Sequence, residues 1–343
     1  MSNTNCLIAL AFICLLVSCR SEPGRQKERT AEESRDPLPS WKEGPVKKAI
    51  IDFVNKTTTQ GGKDFVPVAD RIACFDNDGT LWSEQPMYFQ LAFTIDRIKA
   101  LAPQHPEWKS RQPFKAVLEG NMHQVQNAGE QALLPLIAAA HANISTEEFS
   151  KAVKGWIDTA VHTKTGRRYR EMTFLPMIEL LRYLRQNAYK TFIVSGGGVD
   201  FMRVWAPEAY TIPEEQIIGS SLKLKYEVQE GGTPRLIKLP ELNFIDDNVG
   251  KPAGIYQHIG KRPILSFGNS DGDYEMLQWT TTAAGYPRLG ILLHHTDGER
   301  EFAYDSASSV GRLSRGLADA GKNGWLIVDM KNDWKTIYSG NSK

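Results

Sequence analysis

The chain has 343 residues, 41 basic against 40 acidic side chains for a formal net charge of +1, and 41% hydrophobic residues. That length admits a core domain with an accessory one, and the charge balance leaves no electrostatic footprint for nucleic acid. The average composition is that of an ordinary soluble globular body; it is silent about chemistry and about oligomeric state.

The N-terminus departs from this average. Leu7–Val17 is an apolar run too short to span a bilayer as a helix and of the length of a signal-peptide hydrophobic region, although no Lys or Arg precedes it. The following Leu16-Val17-Ser18-Cys19 resembles a bacterial lipobox. The resemblance implies a signal segment over 1–19, lipid on Cys19, and, with Arg20 next, anchoring at the outer membrane facing the periplasm. Membrane contact would then run through the lipid alone. Residues 20–45, rich in Glu, Arg, Ser and Pro, predict a disordered tether. Of the four cysteines this leaves Cys74, inside an apolar run, as a small buried hydrophobe without a disulfide partner.

Val46–Lys56 carries apolar residues at helical spacing. Ile72–Phe75 is short, continuous and apolar, which predicts a strand buried on both faces. It ends in Asp76-Asn77-Asp78-Gly79-Thr80. Carboxylates at the C-terminal end of a core strand stand where open α/β sheets place their ligands; a polar turn would use the same residues. From 84 to 169 the pattern is helical, with Pro86 opening a helix along Leu91, Ile95 and Ile98, an apolar run Ala132–Ala142 interrupted by Pro135, and a capping box at Ser145–Glu148. Leu175–Asn187 is amphipathic, and Lys190–Val194 reads as a strand ending in Ser195-Gly196-Gly197-Gly198, where backbone N–H groups can approach an anion. Leu222–Val228 and Arg235–Leu239 flank Gly231-Gly232 as a short hairpin. Lys251 precedes a helical stretch over Pro252–Ile259. The strand Arg262–Phe267 runs into Gly268-Asn269-Ser270-Asp271-Gly272-Asp273. Leu289–Leu293 and Trp325–Val328 read as strands and Ser309–Ala320 as a helix. His294 and His295, adjacent on an extended stretch, point opposite ways and read as surface or local packing rather than a metal pair.

In order, these stretches resemble the four motifs of haloacid-dehalogenase-like (HAD) phosphatases over roughly residues 70 to 280: D-x-D-G-T, a hydroxyl at the second strand end, a Lys at a helix start, and G-D-x-x-x-D-x-x-M. The resemblance implies a Rossmann-like α/β parallel-sheet core over 46–83 and 170–343, with a helical cap over 84–169 inserted after the first core strand. It implies Asp76 as nucleophile and Asp78 as general acid and base, the latter arguing against dehalogenase chemistry. Ser195, Gly196 and Lys251 would hold phosphoryl oxygens, and Asp76, Asp78 through its backbone carbonyl, Asn269 and Asp273 would hold Mg²⁺ or another divalent ion. Glu84 stands where phosphoserine-phosphatase-like members place a substrate-contacting acid; a surface acid at a helix N-terminus reads equally well. Position 269 departs from the motif. An Asn carbonyl coordinates a hard cation with one negative charge less, leaving Asp271 and Asp273 to offset the metal. The implied function is Mg²⁺-dependent hydrolysis of a small phosphorylated metabolite through an aspartyl-phosphate. A phosphotransferase or phosphomutase would use the same intermediate, and Asn269 leaves a non-catalytic phospho-ligand-binding lipoprotein as a third reading.

Overall fold

The computed structural model describes residues 36–126, 130–228 and 231–340. The segment 1–19 with Cys19, and the tether as far as residue 35, lie outside the described residues. The tether boundary at residue 45 is corrected: the packed body begins at Leu38. Leu38 and Trp41 are fully buried, the Trp41 indole donates to the Pro176 carbonyl at 2.9 Å, and Ser40 gives its N–H and hydroxyl to Glu179 at 2.8 and 2.7 Å. Two large apolar side chains, each worth about 1.5–3 kcal/mol on burial, dock a stretch whose average composition is polar.

Among the described residues eight strands form the sheet: β1 (Ile72–Phe75), β2 (Lys190–Gly198), β3 (Ile217–Val228), β4 (Pro234–Phe244), β5 (Leu265–Gly268), β6 (Leu289–Thr296), β7 (Ala303–Tyr304) and β8 (Leu326–Asp329). Their order is β4-β3-β2-β1-β5-β6-β7, with β8 also on β6. The pairs β1–β2, β1–β5, β2–β3, β5–β6 and β6–β8 are parallel. This is the expected Rossmann-like α/β core. β1 is buried at every position, and its side chains alternate between two apolar layers. Ala73 and Phe75 join the layer under the helices Pro45–Thr58 and Leu175–Gln186. Ile72 and Cys74 join the opposite layer with Ile255, Tyr274 and Leu277, so Cys74 is the buried, unbridged hydrophobe expected of it. The chain winds outward from β1 through β2 to β3, then returns to β5 on the other side of β1. The winding therefore reverses at β1, and the crevice beyond the carboxyl ends there is the place where doubly wound sheets bind ligands.

Between β1 and β2 the described elements are helices, as expected. Two of them, Phe89–Leu101 and Thr146–Thr159, share the main core through Phe93, Phe149 and Phe201. Ile98, Trp108, Phe114, Val117 and Leu136 form a smaller core of their own. The capping box is present: Ser145 Oγ accepts the Glu148 N–H at 3.2 Å, and Glu148 accepts the Ser145 N–H at 2.8 Å. The hairpin is longer than its alternation suggested. β3 starts as a core strand beside β2 at Ile217–Ser220, then runs on as an arm paired antiparallel with β4. β4 is in turn stitched to the helical segment, the Asn143 N–H donating to the Lys238 carbonyl at 2.8 Å and the Lys238 N–H to the Ile144 carbonyl at 3.0 Å. The last long helix lies at Arg315–Asn323 rather than at 309–320.

Candidate active site

The turn after β1 is closed by the Asn77 carbonyl, which accepts the N–H groups of Thr80 and Leu81 at 3.1 and 2.8 Å. Gly79 is left-handed with φ 74°, and a Cβ there would stand 2.1 Å from the Asn269 amide nitrogen, so this position requires glycine. His295, at the end of β6, donates from Nε2 to the Gly79 carbonyl at 2.7 Å and is 2% exposed. It packs under the turn; its neighbour His294 is partly exposed.

Four segments meet beside this turn. Asp76 follows β1, Ser195 and Gly196 stand at a register shift near the end of β2, Asn269 follows β5, and the helix Gly250–Ile259 brings in Lys251. The Lys251 ammonium is 2% exposed and uses all three of its donors: on Asp76 at 2.6 Å, on Asp273 at 2.6 Å and on the Val194 carbonyl at 3.0 Å. The nearby Lys261 instead pairs at the surface with Asp70. Burial works against the charge on Lys251, but the carboxylates of Asp273 and Asp76 outweigh it and hold its pKa well above the ordinary value. Burial, then the neighbouring Asp273, push Asp76 well above the ordinary carboxylate range, and Lys251 offsets this in part. One ammonium faces Asp76, Asp78 and Asp273, so the cluster is short of positive charge. Asp78 accepts the Trp82 indole N–H at 2.9 Å, and that indole stacks on Trp205 at 4.0 Å. Burial raises the Asp78 pKa, partly offset by the Trp82 indole.

Two motif IV acids do other work than expected. Asp273 gives one oxygen to Lys251 and the other to the N–H groups of Asn269 and Ser270, at 2.9 and 3.0 Å; it is an anchor for the turn rather than a free metal donor. Asp271 faces away and accepts the N–H groups of Ser314, Arg315 and Gly316 at 3.1, 3.2 and 2.8 Å. It caps the helix Arg315–Asn323, which is why that helix starts six residues later than its apolar pattern suggested. Glu84 is not a surface acid. It is 1% exposed and accepts the Asn269 amide N–H at 2.8 Å and the Tyr304 hydroxyl at 2.7 Å. Asn269 Oδ1 accepts the Thr80 hydroxyl at 3.0 Å. Glu84 thus stands against the Asn269 amide. Burial raises Glu84 to about 7, against the opposing pull of His295 and the Tyr304 hydroxyl. No spacing could have found Tyr304, which lies 220 residues from Glu84.

Among the described residues no three His, Cys, Asp or Glu side chains are arranged to hold a cation by themselves. The donor set fits Mg²⁺ in another way. Asp76, Asp78 and the Asn269 carbonyl border the charge-deficient cluster, and this ion is commonly held by one or two carboxylates with water and substrate oxygens completing its shell. A cavity of about 330 Å³ opens above them, with Asp76, Asp78, Glu84, Ser195, Gly196 and Lys251 on its wall. Another concavity, around Tyr256 and Trp279, carries none of these groups. Among the described residues no helix is long and apolar enough to cross a membrane.

No protein-family model matches the chain, and no curated protein matches it. Solved structures do resemble it. A conserved protein of unknown function from Anaerococcus prevotii shares 17% identity at a TM-score of 0.48, over 83% of this chain and 91% of its own. A protein of unknown function from Bordetella pertussis shares 14% at 0.45, over 76% and 98%. A phosphoserine phosphohydrolase-like protein from Francisella tularensis shares 16% at 0.38, over 74% and 98%. Likenesses of this size assign no activity, and the fold statement above stands on strand order and register.

Proposed function

We propose that this chain is a HAD-like phosphatase that hydrolyses a small phosphate monoester through an aspartyl-phosphate on Asp76. One observation carries the reading: Asp76, Asp78, Ser195 and Lys251, brought from two strand ends and a helix start, share the wall of one cavity at the point where the sheet reverses its winding. Asp76 is held through one oxygen by Lys251, and the other attacks phosphorus. As the P–O bond to the leaving group breaks, Asp78 gives that oxygen its proton. Asp78 then takes a proton from water as the water attacks the acyl-phosphate, releasing phosphate and restoring Asp76. The Ser195 hydroxyl and the Gly196 N–H hold the non-reacting oxygens, and Lys251, whose three donors are already engaged, acts on them through its charge. Asp76, the backbone carbonyl of Asp78 and Asn269 would hold a divalent cation, which would neutralise charge on those oxygens. We also propose export, with lipid on Cys19, on the strength of the N-terminal residues alone. The test of the activity is hydrolysis of an aryl phosphate by the full chain in detergent, with Mg²⁺, with other divalent ions and with chelator. Metal-dependent turnover supports the reading; tight binding of phosphate esters with no turnover under any metal replaces it with ligand binding.

A further inference from the structure

The cavity has two unlike ends. The catalytic groups occupy one. The other lies between the helical segment, the hairpin and the start of the helix after β2, with Leu91, Ile137, Phe149, Phe201, Leu222 and Leu242 on its wall. This end also carries polar groups, and they are engaged with one another. Lys238 is 3% exposed and pairs with Asp200, with its ammonium 4.6 Å from the centre of the Phe149 ring. His141 is buried and paired with the Thr94 hydroxyl at 3.2 Å, and that hydroxyl lies 2.9 Å from the Gln90 carbonyl. The Gln90 amide oxygen accepts the Gly198 N–H at 2.7 Å. Burial, with Lys238 and Arg97 nearby, drops the His141 pKa to about 3, so the ring is neutral.

We infer that the phosphate ester taken by this site has a compact, uncharged, apolar body, such as an arylalkyl or short branched-alkyl group. The inference rests on the reading of Asp76 and its neighbours as the phosphate end. A charged body would leave water and find the ammonium and the carboxylate of the far wall already paired, which is unfavourable for a buried charge. An apolar body exchanges water for the aliphatic and aromatic wall and gains the usual hydrophobic term. Size sets the scale: about 330 Å³ is roughly twice an apolar cavity of about 150 Å³ that takes one benzene. That holds a phosphoryl group and a body near the size of one aromatic ring. Amino-acid, nucleotide and bisphosphate esters do not match this end.

The test separates binding from turnover. Calorimetry on the full chain compares benzylphosphonate with 2-aminoethylphosphonate and phosphonoacetate, none of which can be hydrolysed at an ester bond. In parallel, kcat/KM is measured with Mg²⁺ for benzyl phosphate, glycerol 1-phosphate and phosphoserine. The expected result is at least thirtyfold tighter binding of benzylphosphonate and a similar preference in kcat/KM, carried by KM. Ile137→Asn is expected to narrow both ratios at least fivefold. Turnover of all three esters without a preference for benzyl phosphate, or equal binding of the phosphonates, overturns the apolar-body inference while the phosphatase reading stands. A thirtyfold preference among phosphonates with no turnover of any ester supports the apolar end and removes the hydrolase.

Discussion

Replacing Glu84 by Gln is expected to make the metal-free protein more stable, in a pH-dependent way. The carboxyl is 1% exposed, and burial lifts its pKa from 4.5 to about 7. Below about pH 4.5 it is protonated in the folded and unfolded chains alike and contributes nothing. Between about pH 4.5 and 7 the unfolded chain releases this proton while the folded chain retains it, so stability falls as pH rises; above about 7 the loss is complete and constant. At about 1.36 kcal/mol per pH unit the full loss is about 3 kcal/mol. Glutamine keeps an acceptor oxygen for the Asn269 amide and the Tyr304 hydroxyl and never ionises. In urea unfolding with chelator present, Glu84→Gln should therefore exceed the parent by about 3 kcal/mol at pH 8, by about 2 at pH 6, and match it at pH 4. Added Mg²⁺ should stabilise the parent more than the variant, because the variant lacks the charge beside Asn269. A variant no more stable than the parent at pH 8, or one whose difference ignores pH, refutes the placing of a strained acid beside Asn269.

Three further outcomes follow from the geometry. Asp76→Asn should lower turnover of an aryl phosphate at least about a thousandfold with its circular dichroism spectrum preserved and its stability at pH 8 no lower than the parent's, since the amide is nearly isosteric and does not ionise where burial raises the Asp76 pKa; metal-dependent activity in that variant would sink the mechanism. Lys251→Met leaves Asp76 and Asp273 buried without their cation and should destabilise by about 3–5 kcal/mol at pH 8, and by less as the pH falls, because burial already raises the Asp76 pKa and a protonated Asp76 no longer needs the cation; denaturant curves at two pH values check the sign. Asp271→Ala strips three N–H groups of their acceptor and should lower stability by about 1–2 kcal/mol while Mg²⁺-dependent turnover per folded molecule persists; a change in metal dependence would return Asp271 to the metal.

The strand ends were legible because a strand buried on both faces reads as an apolar run, and such runs stop abruptly at the groups they present. Asp76, Ser195 and Asn269 each follow one. Lys251 was legible from its place ahead of a helix, not from its own chemistry, since a lysine looks alike buried or exposed. What escaped was side-chain direction. Asp271 and Asp273 are two residues apart, yet one caps a helix from outside and the other anchors Lys251 from within. Local periodicity also misjudged segments whose partners are distant. Leu38 and Trp41 look like part of a polar tether until Pro176 and Glu179 are beside them, and β3 looks like a short hairpin arm until β2 lies along its first residues.

The three-way grip of Lys251 also bears on when the site can come into being. Its ammonium joins Asp76, 175 residues earlier, to the Val194 carbonyl and to Asp273, 22 residues later. A chain leaving the ribosome presents Asp76 and Asp78 long before it presents the one cation that neutralises them. Until residue 273 has followed, the acids have reason to stay in water and the lysine has no dry place to go. A chain that stops short of residue 251 therefore carries Asp76 without the ammonium that holds it.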